Sequence, residues 1–322
     1  MLKRFVFARE DRPGADWLER FGAGRAEAER WYRGVGRADP PSAKECRIML
    51  RRYMPELVAP YDSACELVGD DDVAHCILSH YRPPPLRSGC TQGIWLGDGG
   101  PALVRNYDYP LDAVTGRFES TRWFDRDVIA KAQRPWGGCI DGMNDAGLVA
   151  SLTFGGGDAQ GAGFSIILML RYVLEICGSV ADAIEVLRGI PVAQSQNVML
   201  LDHSGSFATL FIGPDREPFV SNIPACANHQ ERPDRKNDSG RREDTVLAAL
   251  DDPSMTLDRL TDRFLEPPLY SRRAASPTVY TAVYRPAERR IDYFWPGHVV
   301  TQRIGSFVDQ AYLHDFGILM AT

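Results

Sequence analysis

The sequence predicts a mixed α/β fold in which antiparallel sheets carry helices on their outer faces. Three observations predict it. Helical periodicity runs through roughly the first 80 residues. Strand–turn–strand patterns begin after Pro83-Pro84-Pro85. Two helical stretches then divide those strands from a second set. With 44% hydrophobic and 10% aromatic residues among 322, the chain can bury a sizeable core, so wholesale disorder is excluded.

The elements follow in order. After Pro13, the residues Trp17, Leu18, Phe21, Ala28, Trp31 and Tyr32 recur at helical spacing, with Gly22 and Gly24 as weak points. A second helix is expected over 43–54, with Ile48, Met49, Tyr53 and Met54 inward and Pro55 as its stop. Ser63-Ala64-Cys65-Glu66 has capping-box spacing. The acids at 70–72 suit the solvated start of a helix reaching His80 better than a metal site. The three prolines make a stiff connector. A hairpin follows, in which Gly97-Asp98-Gly99-Gly100 joins strands beginning at Cys90 and Ala102. A second strand pair runs from Gly137 through Gly142-Met143-Asn144-Asp145 and Gly147 to Phe154. Helices are expected over 166–176 and from Ser179, where Ala181, Ile184 and Leu187 are helically spaced. His203-Ser204-Gly205 joins strands at 197–202 and 206–212. A polar stretch at 229–244 leads to a helix near 243–250, and strands at 278–284 and 290–295 end the series.

Charge places a boundary at the connector. Residues 1–89 hold 15 basic and 14 acidic residues, whereas 90–322 hold 22 and 29. The expected organisation is a helical segment, 1–89, and a main domain, 90–322. The net charge of −6 argues against a nucleic-acid binder. Phe164 to Leu174, the most apolar stretch, is too short to span a membrane and contains Arg171. The first residues lack the long apolar run of a secretory signal, so a cytoplasmic protein is expected. The seven cysteines are odd in number and scattered, with no C-x-x-C, which suggests neither a disulfide framework nor a zinc site. Most are expected to be buried small hydrophobes.

Cys90 calls for a different account. It opens a strand directly after Ser88-Gly89, at the composition break. Gly89 has no side chain to crowd an attack on its own carbonyl. A thiol there can attack that carbonyl, and hydrolysis of the thioester leaves an N-terminal cysteine. The freed α-amine, with a reference pKa of about 7.7–8.0, can serve the thiol as general base. Arg105-Asn106-x-Asp108 lies on the partner strand, where a carboxylate can hold the ammonium and an arginine can orient the sulfur. Regular alternation points Arg105 and Asp108 to opposite faces, so a shared site requires a strand end or a bulge.

Gly89-Cys90-Thr91, Arg105-Asn106-x-Asp108 and Gly142-Met143-Asn144-Asp145-x-Gly147-Leu148 together resemble the N-terminal-nucleophile hydrolases. The closest groups are the isopenicillin N acyltransferases and carcinine hydrolases, related to the choloylglycine hydrolases and penicillin V acylases. The helical segment before Cys90 favours the acyltransferase branch. The resemblance implies a four-layer αββα sandwich and a precursor that cuts itself between Gly89 and Cys90, the two pieces staying associated. It implies an acyl-thioester at Cys90 formed from a small linear amide, with no cofactor or metal. Acyl-CoA would be a substrate, if a donor at all. Arg105 and Asp108 would position the thiol and amine, and Asn228 would donate to the oxyanion. Ser239-Gly240-Arg241-Arg242 resembles the family's late Ser–Arg element, with Arg242 preferred over Arg241. Choloylglycine hydrolases carry Leu-Asn-Phe where this chain has Leu152-Thr153-Phe154, so a backbone N–H or the Thr153 hydroxyl would complete the oxyanion hole. The glycines at 155–157, 161 and 163 suggest a flexible loop bordering the site, and Tyr109, Trp136 and Phe154 suit its apolar walls.

Other readings stay open. One is an acyl-CoA-dependent N-acyltransferase. Another is a non-catalytic binding protein with an uncut Gly89–Cys90 bond. A papain-like pairing with His203, His229 or His298 ranks lower, because such a cysteine sits at a helix start and Cys90 reads as strand.

Overall fold

The computed structural model describes residues 1–33, 40–85, 89–133, 137–230 and 238–320. Its first element is a strand, β1 (Leu2–Arg9), which buries Phe5 and Phe7. The helical reading of the first segment therefore fails at its start. α1 (Ala15–Arg33) runs unbroken through Gly22 and Gly24. Burial of Trp17, Phe21, Ala28 and Tyr32 along one face offsets the cost of about 1 kcal/mol per glycine. α2 (Ala43–Tyr53) starts at Ser42, whose side chain accepts from the Glu45 N–H. It buries Cys46 and Leu50, and Met49, Tyr53 and Met54 pack inward as expected, but Ile48 is 55% exposed. Ser63–Glu66 lies inside α3 (Val58–Val68) and starts no helix. α4 (Asp72–Ser79) is capped by Asp71, which accepts from the Ala74 N–H at 3.0 Å.

The expected hairpin is β2 (Gly89–Trp95) and β3 (Ala102–Asp108). Two unforeseen strands follow, β4 (Arg117–Thr121) and β5 (Val128–Gln133). β6 (Gly138–Asn144) and β7 (Val149–Phe154) form the second expected pair, and α5 (Ile166–Ile176) and α6 (Val180–Gly189) match the expected helices. β8 (Gln196–Leu201) and β9 (Phe207–Gly213) follow, then β10 (Arg216–Ser221) and the short β11 (Ala225–Cys226). α7 (Asp238–Leu250) begins earlier than expected and takes in Ser239 and Arg242. α8 (Leu257–Phe264), β12 (Thr278–Arg285), β13 (Arg290–Trp295), β14 (His298–Arg303) and β15 (Gln310–Asp315) complete the chain; α8, β14 and β15 were not anticipated.

These strands make two sheets. The nine-stranded sheet has the order β10-β9-β8-β7-β6-β5-β4-β1-β15, and the six-stranded sheet β11-β2-β3-β12-β13-β14. Pairing is antiparallel except between β1 and β4, a correction to the purely antiparallel expectation. The sheets face each other across an aromatic core, where Phe118 of β4 lies 4.3 Å from Tyr293 and 5.3 Å from Tyr280, ring centre to ring centre. α5 covers the outer face of the larger sheet so closely that a Cβ on Gly142 would lie 2.7 Å from Leu174. α7 covers the smaller sheet, and a Cβ on Gly93 would lie 2.7 Å from Val246. α8 adds Leu257, Leu260 and Phe264 to that face. The architecture is a four-layer αββα sandwich. α5 is buried nearly all round because the N-terminal helical segment packs on its other side, where Tyr172 hydrogen-bonds Glu56 and Tyr53 meets Phe164.

Candidate active site

Alternation along β2 sorts the hairpin into two faces. Cys90 points between the sheets and is fully buried, while Thr91 points to α7. Arg105 shares the inter-sheet face, and its Nη2 donates to Cys90 Sγ at 3.1 Å. The guanidinium is fixed from behind: Nη1 donates to the Ile140 carbonyl at 3.0 Å and Ser151 Oγ at 2.9 Å, and lies 2.7 Å from Asp141 Oδ2. Tyr280 and Tyr284 donate their hydroxyls to Asp141 at 2.5 and 2.6 Å. Burial, the largest single influence, opposes the Arg105 charge, but Asp141 together with Cys90, Tyr280 and Tyr284 outweighs it and holds the guanidinium above its ordinary pKa. Burial, reinforced by Asp141, likewise keeps both tyrosines protonated as donors. Asp141 is a residue of this buried cluster that sequence reasoning missed. Its one signal is an acid inside a strand with glycine and apolar neighbours, a position that needs a buried counter-charge.

Asp108 ends β3 directly opposite Gly89. It faces away from Arg105, as alternation requires, and accepts from Thr278 Oγ1 at 2.7 Å. As the last residue of β3 it is the strand end that the spacing allows, and the β3–β12 register shifts opposite it, between Thr278 and Tyr280. Burial raises the Asp108 pKa, against the lowering pull of Arg242 and Thr278. A Cβ on Gly89 would come within 3.1 Å of Asp108 Cβ and 3.2 Å of Ser276 Oγ. Glycine at this position thus serves close approach.

Asn228, from the segment after β11, and Arg242, from α7, reach the same residue, Cys90. The Cys90 N–H donates to Asn228 Oδ1 at 3.0 Å, and Arg242 Nη2 donates to the same oxygen at 2.8 Å. Two donors on one atom fix the amide orientation, so Nδ2 is the group that donates to the Phe154 carbonyl at 3.2 Å. Arg242 Nη1 donates to the Cys90 carbonyl at 2.6 Å and also hydrogen-bonds Thr91 Oγ1. Asp238 accepts from Arg242 Nε at 3.0 Å and steadies it. Arg241, by contrast, is mostly exposed and lies 3.8 Å from Asp238. Ser239 Oγ accepts the Asn228 N–H at 2.6 Å.

Thr153 and Phe154 support this segment. The Thr153 hydroxyl donates to the Ala227 carbonyl at 2.8 Å and accepts from Asn197 Nδ2 at 3.0 Å. The glycines at 155 and 156 are tightly packed, not a loose border. A Cβ on Gly156, at φ +79°, would lie 2.9 Å from the Asn228 carbonyl, and one on Gly155 2.8 Å from Gln230 Nε2. Asn144 builds the β6–β7 turn: Oδ1 accepts from Ala146 and Leu148, and Nδ2 donates to the Leu174 and Cys177 carbonyls. His203 contacts the Ala146 carbonyl and His298 stacks on Tyr312, both away from Cys90. Tyr109 stacks on Tyr107, and Trp136 lies outside the described residues. Burial pushes the thiols of Cys139, Cys177 and Cys226 up to about 12, in keeping with small hydrophobes. Among the described residues no group of three or more His, Cys, Asp or Glu is arranged to hold a metal ion, and no helix is long and apolar enough to cross a membrane.

A cysteine on an inner strand of an αββα sandwich, met by an arginine from the next strand, fits the fold of the N-terminal-nucleophile hydrolases. Residues 95–298 match the family described as acyl-coenzyme A:6-aminopenicillanic acid acyl-transferase, and the chain belongs to that family. The match begins after Cys90. No curated protein sequence matches the chain. Solved structures similar to it include a variant of conjugated bile acid hydrolase from Clostridium perfringens, at 13% identity over 72% of this chain and 98% of that one, with a TM-score of 0.44. Penicillin V acylase from Agrobacterium tumefaciens gives 16% identity over 67% and 86%, with a TM-score of 0.43. The Caenorhabditis elegans orthologue of N-acylethanolamine-hydrolyzing acid amidase gives 14% over 62% and 93%, with a TM-score of 0.44.

Proposed function

We propose that the chain is the precursor of a cysteine amidohydrolase or acyltransferase that cuts itself between Gly89 and Cys90. The observation that carries this reading is the grip on Cys90: Arg105 holds its sulfur, Asn228 its N–H and Arg242 its carbonyl. A merely structural cysteine needs none of these. In the uncut chain, Cys90 Sγ attacks the Gly89 carbonyl carbon, the C–N bond breaks, and the nitrogen leaves as the α-amine of Cys90. Water hydrolyses the thioester to the Gly89 carboxylate.

In the mature protein the α-amine takes the thiol proton, and the thiolate, facing Arg105, attacks an amide. Asn228 Nδ2 donates to the tetrahedral oxyanion, an interaction commonly worth about 2.7–4 kcal/mol in the transition state. The amine leaves protonated. Water then releases the acid, or a second amine accepts the acyl group, from an amide or from acyl-CoA. Asp108, on the far side of the Gly89–Cys90 bond, holds the new ammonium. β1 favours continued association of the two pieces. It lies between β4 and β15 of the main sheet, with Phe5 and Phe7 in the core, each burial contributing about 1.5–3 kcal/mol.

The test is turnover of a panel of N-acyl amides by wild type and Cys90→Ala, with and without an acceptor amine. Acyl product formed by wild type alone supports the reading. Equal turnover by Cys90→Ala defeats it. Acyl transfer that needs acyl-CoA assigns the transferase.

A further inference from the structure

Behind Asn228 lies a hydrogen-bonded chain that the reaction above does not use. Ser239 Oγ lies 2.8 Å from His229 Nδ1, and His229 Nε2 lies 3.1 Å from Glu243 Oε2. Ser239 and Glu243 are one helical turn apart on α7, and both are buried. His229 adjoins Asn228 and is itself mostly buried, with 12% of its side chain exposed.

The direction of the chain follows from donor chemistry. A backbone N–H can only donate, so Ser239 Oγ accepts from Asn228. A carboxylate can only accept, so in the neutral imidazole Nε2 donates to Glu243, Nδ1 is left as the acceptor, and the Ser239 hydroxyl donates to it. Each link polarises the next. The last link is the peptide N–H of the residue whose side chain holds the Cys90 N–H and Arg242.

We infer that Glu243, His229 and Ser239 form a positioning relay that sets Asn228 against Cys90. His229 and Glu243 touch neither the thiol nor a substrate; they act through Ser239. The inference rests on the proposed cleavage only for its kinetic consequence. Its structural consequence, a tethered Asn228 N–H, is measurable in the uncut chain.

The experiment compares wild type with His229→Ala, His229→Asn, Glu243→Ala and the double variant His229→Ala/Glu243→Ala, each checked by thermal melting. Hydrogen–deuterium exchange reads the Asn228 amide, and intact mass over time reads the cleavage rate. His229→Ala is expected to speed Asn228 exchange about fivefold or more, the loss of roughly one hydrogen bond, and to slow cleavage by a similar factor. His229→Asn restores most of both, because its Oδ1 falls near the place of Nδ1 and accepts the Ser239 proton. The double variant is no worse than His229→Ala, since a chain cut twice is cut once. Unchanged exchange in His229→Ala overturns the relay, and so do fully additive effects of the two alanines. If wild type is never cleaved, the proposed reaction falls while the exchange measurement still decides the relay.

Discussion

Replacing Asp141 by Asn removes the counter-charge of Arg105 with almost no change of shape. Both side chains are completely buried and 2.7 Å apart, and the Arg105 guanidinium keeps its charge whether or not Asp141 is there. Stranding one member of such a pair costs about 3–5 kcal/mol. Unfolding entropy near 2.1 cal/mol/K per residue gives about 0.7 kcal/mol/K for this chain. Tm should therefore fall by about 4–7 °C, read by differential scanning calorimetry at pH 7. The charge is the cause, so a further control follows. Asp141→Leu alone strands the guanidinium, whereas Asp141→Leu with Arg105→Met removes it, and the double variant should melt higher than the single one. A Tm drop below about 1 °C for Asp141→Asn, or a double variant less stable than the single, refutes the argument.

Three further outcomes are expected. Asn228→Ala should slow cleavage and amide turnover about 10²–10³-fold through loss of the oxyanion donor; a rate within a factor of about three of wild type contradicts that role. Burial raises the Asp108 pKa, so its ionisation costs stability as pH rises from the unfolded-state value through the raised folded one. Asp108→Asn should match wild-type stability in acid and exceed it at pH 7, by chemical denaturation, while processing is lost. Burial lowers the Lys131 pKa to about 7, so the unfolded chain binds the extra proton above that pH, and this group makes wild type gain stability with pH. Relative to Lys131→Met, wild type should gain up to about 1.4 kcal/mol per unit between pH 7 and 9; a flat difference contradicts the assignment.

Much of the fold could be read locally. The β2–β3 hairpin and the β6–β7 pair announce themselves by glycine turns between apolar runs. β1 and β4 do not. Arg117 and Glu119 pair on the outer face of β4, and Phe118 alone carries its core contact, so a five-residue strand reads as a charged loop. β14 and β15 are half exposed and mostly polar, which hides the alternation. The site divides in the same way. Cys90, Arg105 and Asp108 lie on adjacent strands, and a hairpin brings them together. Asp141 reaches Arg105 only across the gap between sheets, and Glu243 reaches His229 only because α7 packs beside the segment after β11. Such contacts depend on tertiary placement, which no local spacing encodes. The capping-box pattern at Ser63 shows the converse, a local signal overridden by the helix in which it lies.

The central claim is that Cys90 becomes the N-terminus of a catalytic chain. The most direct measurement is the intact mass of the purified protein beside its Cys90→Ala variant. Wild type should give pieces of about 10 and 26 kDa, in proportion to residues 1–89 and 90–322 of a 35.9 kDa chain, and Cys90→Ala should stay whole. A wild-type protein that remains whole while turning over amides, or a variant that is cut at the same bond, would contradict the account.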